Sequence, residues 1–107
     1  MPANFIDLHS GDDLDAVFER SNREPVVLLK HSNSCGISAH IKYLLESVDA
    51  DIFVATVQLH RPLSNEITVR TGRSHQSPQL FVIRSGEVIH HATHYGIDAA
   101  TVSSFLK

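Results

Sequence analysis

The chain has 107 residues, 42% apolar and 20% charged, with a net charge of −3 when its histidines are neutral. That length suits one domain over residues 1–107, able to bury a core without disulfides or metal, and the charge leaves no basic stripe for nucleic acid. A single cysteine closes no internal disulfide, no apolar run approaches the roughly 20 residues of a membrane span, and no secretory leader is evident, so the expectation is a cytoplasmic protein with neither membrane nor nucleic acid as partner.

Phe5-Ile6-Asp7-Leu8 alternates and predicts a first strand. Ser10 with Asp13 has capping-box spacing and predicts a helix that turns Leu14, Val17 and Phe18 inward. Pro25 ends that helix by biasing Glu24 away from helical geometry. Val26 to His31 is apolar on both faces until Lys30, as in a central strand covered by helices. Ile37, Ile41, Leu44, Leu45 and Val48 form one apolar stripe on a helix over 37–48, with Leu44 expected inside. Ile52 to Leu59 reads as the third strand. Pro62 opens a helix that buries Leu63 and Ile67 and ends at Gly72. Gln79–Arg84 and Glu87–His94 make a hairpin about Ser85-Gly86, and Asp98 caps a last helix that buries Val102, Phe105 and Leu106. The order β-α-β-α-β-α-β-β-α gives an α/β architecture, a mixed sheet flanked by helices, in the order of the thioredoxin fold.

Cys35 falls where the second strand turns into the second helix. Backbone N–H groups and the positive end of the helix dipole would face its sulfur and favour the thiolate. Lys30 and His31 close the adjoining strand and are expected to add positive potential. Cys35-Gly36-Ile37-Ser38 has Cys-x-x-Cys spacing with serine in the second place. Ser38 is expected to donate to the thiolate beside the amides of Gly36 and Ile37, and it cannot close a disulfide. Such a site needs a second thiol from outside. Ser77-Pro78 stands at the head of a strand, the one place in it that tolerates proline, and the fold order predicts a cis bond there facing Cys35. Ser34, Ser77 and Pro78 are then the residues expected to meet substrate. His90-His91-x-x-His94 puts two of its imidazoles on one strand face and the third on the other, too few together for a closed metal site. His75, near Ser77, is the histidine expected closest to the thiol.

Ser34-Cys35-Gly36-Ile37-Ser38 and His75-Gln76-Ser77-Pro78-Gln79 resemble the monothiol bacilliredoxin family, thioredoxin-like redox proteins of bacillithiol systems. Arg61-Pro62-Leu63-Ser64-Asn65 with Thr71-Gly72, and His91-Ala92-Thr93-His94, extend the likeness over about Pro25 to Ile97. The family motif is Thr-Cys-Pro-Ile-Ser; Cys35, Ile37 and Ser38 match it, while Ser34 and Gly36 depart. The resemblance implies removal of bacillithiol from the mixed disulfides of S-thiolated client proteins, with the small thiol as co-substrate and no bound cofactor or metal. Gly36 also makes the motif similar to the Cys-Gly-Phe-Ser of monothiol glutaredoxins, which implies iron–sulfur cluster carriage instead, though Ser77-Pro78 replaces their valine-proline. A thioredoxin-like binding module with an incidental cysteine is the third reading.

Overall fold

The structure, a computed structural model, describes residues 2–107. Its elements are β1 (Asn4–Asp7), α1 (Gly11–Arg20), β2 (Val26–His31), α2 (Gly36–Leu44), β3 (Asp51–Thr56), α3 (Arg61–Thr71), β4 (Gln79–Arg84), β5 (Glu87–Thr93) and α4 (Ala99–Ser104). The five strands lie in the order β1-β3-β2-β4-β5. β2 runs parallel to β3 and antiparallel to β4, so it is the centre of a mixed sheet. This is the thioredoxin fold.

Alternation along β2 divides the core. Val26 and Leu28 pack with Leu14 and Val17 of α1 and Leu63 and Ile67 of α3. Val27 and Leu29 pack with Ile41 of α2 and Val102 of α4. The same alternation sends Lys30 toward α3 and His31 toward α2. The caps are the expected ones: Ser10 Oγ accepts from Asp13 N–H, Asp98 from Thr101 N–H, and Gly72 ends α3 with φ 68°.

Three expectations are corrected. The helix over 37–48 stops at Leu44 and tightens into a 3-10 turn, Leu45–Ser47. Leu45 and Val48 fill the core, and Leu44, at the edge of the stripe, is left 43% exposed. β3 ends at Thr56, because Leu59 and His60 N–H turn back to the Thr56 carbonyl; Gln58 is thereby lifted out of the sheet. β5 ends at Thr93, and His94 (φ 50°) leaves the ladder to donate its N–H to the Pro78 carbonyl.

Candidate functional site

Cys35 is the N-cap of α2, in extended geometry with φ −112° and ψ 121°. Its carbonyl accepts the first helical bond, from Ala39 N–H at 3.1 Å. The N–H groups of Gly36, Ile37 and Ser38 therefore have no acceptor within the helix and lie in the turn that follows the thiol. The thiol is free and half-buried. A Cβ at Gly36 would meet nothing within 4 Å, so crowding does not demand glycine there.

The loop before Cys35 is held by a side chain from the end of β3. Gln58 Oε1 accepts from Asn33 N–H at 3.1 Å, and its Nε2 donates to the hydroxyls of Ser32 and Ser34. Ser34 is exposed, immediately before the cysteine.

Ser38 is fully buried and braces the same loop from beneath. Its oxygen accepts from Ser32 N–H at 3.0 Å and lies 2.9 Å from His31 Nδ1. The bond expected from Ser38 to the sulfur is not made: no described residue hydrogen-bonds Cys35 Sγ, because the hydroxyl is already engaged. His31 is held below its ordinary pKa, first by burial and then by the nearby Lys42 charge. The imidazole is engaged with Ser38 rather than with the sulfur, and burial disfavours its charged form, which works against the positive potential expected of it.

Lys30 departs furthest from its expected place. It is fully buried on the opposite face, where its ammonium donates to Thr68 Oγ1 at 2.9 Å and to His75 Nδ1 at 3.3 Å. Desolvation pushes its pKa down to about 8. It faces α3 and the 72–77 loop, not the cysteine.

Ser77-Pro78 is cis. β2 and β4 pair with Lys30 opposite Gln79, so the Cys35 loop leaves the end of the sheet at which Pro78 enters. Pro78 is buried, and Ser77 Oγ is buried without a partner. The loop leading into them is fastened by Gln79, also fully buried. Gln79 Oε1 accepts from Gln76 N–H at 3.3 Å, while Nε2 donates to the Ser74 carbonyl at 3.0 Å and reaches His91 Nε2 at 2.9 Å. The two backbone partners fix which end of the amide is which. His91 Nε2 must then accept, and its proton sits on Nδ1. His91 is held below its ordinary pKa by burial first, then by Arg73 and His90.

The other histidines disperse: His90 stacks on Phe105, and His94 opens the turn after β5. Among the described residues no three His, Cys, Asp or Glu side chains gather to hold a metal ion, and no helix is long and apolar enough to cross a membrane. Gln58 and Gln79 were not legible as site residues. Gln79 had one signal, an amide heading an otherwise apolar strand; Gln58 had none.

A lone thiol at a strand-to-helix turn, at the sheet end where a cis proline enters, in this fold defines a thiol redox protein of thioredoxin type. The chain belongs to the monothiol bacilliredoxin family, whose family model, described as monothiol bacilliredoxin BrxC, matches residues 6–102. Among solved structures it is similar to a candidate oxidoreductase with a thioredoxin fold, at 32% identity and TM-score 0.85, covering 94% of this chain and 91% of that one. A mutant thioredoxin from Halobacterium salinarum NRC-1 shares 17% identity with TM-score 0.73, covering 97% and 92%. Schistosoma mansoni thioredoxin shares 20% with TM-score 0.72, covering 96% and 93%.

Proposed function

We propose that this chain is a cytoplasmic monothiol thiol–disulfide oxidoreductase that removes bacillithiol from S-thiolated client proteins. One observation carries the reading. Cys35 caps a helix whose first-turn amides are free, and the position where a resolving cysteine would stand holds a buried serine with its hydroxyl engaged. Family membership supports the choice of small thiol.

The cycle has two exchanges. The Cys35 thiolate attacks the small-thiol sulfur of the mixed disulfide; that S–S bond breaks, a Cys35–small-thiol disulfide forms, and the client leaves as a thiolate that takes a proton from water. A second small thiolate then attacks the sulfur of the small thiol held on Cys35. It releases Cys35 as thiolate and leaves a symmetric small-molecule disulfide that carries away the oxidising equivalents. The Gly36 and Ile37 amides stabilise the thiolate at each end of the cycle. Ser34 and the cis Ser77-Pro78 segment position the client backbone. No bound cofactor takes part.

The test is mass spectrometry of the protein from oxidatively stressed cells, together with release of a bacillithiolated client by the purified protein. The expected result is a bacillithiol adduct on Cys35 and turnover that Cys35→Ser abolishes. Turnover that survives Cys35→Ser overturns the redox role; a glutathione adduct in its place overturns the choice of thiol.

A further inference from the structure

Lys30 is a buried cation without a carboxylate partner. It bonds only neutral groups, Thr68 and His75, and the ion pairs among the described residues belong to Arg20 and Arg70. Burying an uncompensated charge costs stability, and titratable groups perturbed in this way cluster at functional sites.

Beside it lies a cavity of about 110 Å³ lined by Val57, Arg61, Ser64, Asn65 and His75. Arginine, hydroxyl, amide and imidazole make its polar wall, with no carboxylate. Lys30 stands one hydrogen bond behind, through His75 Nδ1, and Ser64 Oγ is 3.5 Å from the same nitrogen. With Nδ1 accepting from the ammonium, His75 keeps its proton on Nε2 as a donor. α3 begins at this wall with no acidic residue in its first turn and no side-chain cap, so its dipole adds to the same positive field.

The cavity adjoins both loops of the thiol site. Val57 N–H donates to the His31 carbonyl at 2.9 Å, and the next residue, Gln58, bonds Ser34 beside Cys35. His75 stands two residues before Ser77.

We propose that this cavity is a carboxylate subsite for the low-molecular-weight thiol, occupied while that thiol is joined by disulfide to its client or to Cys35. The proposal rests on the thiol-exchange reading above. The volume admits one carboxylate. Arg61 and Ser64 bind it from the rim, and Lys30 supplies the opposing charge from behind. A small neutral thiol gains none of this.

The test uses one peptide carrying either 3-mercaptopropionate or 2-mercaptoethanol in mixed disulfide, in a neutral and an acidic version of the peptide. The expected result is a lower KM for the 3-mercaptopropionate disulfide on both peptides. Arg61→Ala should raise that KM roughly fivefold and leave the 2-mercaptoethanol disulfide unchanged, with Arg61→Lys restoring part of the difference. A KM that follows the charge of the peptide assigns the cavity to the client and overturns the proposal, as does an unchanged ratio in Arg61→Ala. Malonate titration followed at the His75 imidazole by NMR reads the subsite without turnover. A saturable shift that Arg61→Ala and Lys30→Met abolish supports it, and no shift overturns it. If neither disulfide turns over, the redox reading fails, and the NMR result alone decides the subsite.

Discussion

Two loops meet at the thiol end of the sheet, and a single glutamine side chain holds each. Gln58 makes three hydrogen bonds to the loop before Cys35 and is exposed; Gln79 makes three to the cis-proline loop and His91 and is fully buried. The inventories match but the environments do not. Water replaces the partners of Gln58 once its side chain is gone, whereas Gln79 is itself fully enclosed, so its loss also leaves a cavity beneath the loop. The wall opposite the thiol is therefore the stiff half of the site, and the loop bearing the thiol is the compliant half. That division suits the cycle proposed above, in which the cysteine alternates between a free thiolate and a bulky mixed disulfide.

The largest expected effect tests the stiff half. Gln79→Ala removes the side-chain partner of the Ser74 carbonyl, the Gln76 N–H and His91 Nε2 and leaves a cavity where a fully buried amide stood, and should cost roughly 2–4 kcal/mol in urea unfolding. Its reaction with client disulfides should weaken as well. A loss below about 0.5 kcal/mol, the size of an ordinary surface change, would show that other contacts hold the loop.

Lys30, opposite Gln79 in the sheet register, provides the next test. Its folded pKa is depressed from 10.5 to about 8 by burial. Between those values the unfolded chain binds the proton that the folded chain releases, so stability rises with pH across the window and is lowest below it. The gain should be on the order of 1–3 kcal/mol between pH 7 and 10.5. Urea midpoints at one-unit intervals read it. Lys30→Met should remove the rise and be the more stable protein at pH 7; a wild-type profile that is flat over this range contradicts the buried charge.

His91 gives a smaller effect at the acid end. Its folded pKa lies below its ordinary value, so the unfolded chain takes up the proton first as pH falls. Stability present above about pH 6.5 is lost as pH drops below that value toward the folded pKa. His31 and His75 are lowered too and add the same sign. His91→Phe should flatten only its own share of the slope. Protonation also sets an N–H of His91 against the Gln79 amide, so protection of the Gln76 N–H, relative to its intrinsic exchange rate, should fall at low pH while that of Asn33 does not.

The sequence carried the frame of this site better than its wiring. β2 and β4 have their expected bounds because Pro25, Pro78 and Ser85-Gly86 punctuate two apolar runs. Ser10, Asp98 and Gly72 cap as their residue types dictate. The face that Lys30 occupies follows from its alternation with Val26 and Leu28, but its partners Thr68 and His75 lie 38 and 45 residues away and leave no local pattern. Ser38 was read through its three-residue spacing from Cys35. In the fold the nearer claims on its hydroxyl come from Ser32 and His31 across the turn. Gln58 became a clamp only because β3 ends two residues before it.

The compliant half carries the smallest effects, and they have opposite signs. Gln58→Ala should cost about 0.5–1 kcal/mol and speed amide exchange at Asn33 without altering exchange at Gln76. Gly36→Pro should stabilise by about 0.4–1 kcal/mol, because proline narrows the unfolded ensemble and the site accepts it. Gly36 is the first residue of α2, where its N–H has no helical acceptor to lose. A Cβ there meets nothing, and Cys35 already has the extended geometry that a following proline requires. Proline also removes one of the two amides assigned to the thiolate. A Gly36→Pro protein that melts higher yet reacts more slowly with iodoacetamide would show that the Gly36 N–H stabilises the thiolate. Equal rates would leave that task to Ile37 alone and make the compliance of this loop a matter of backbone entropy.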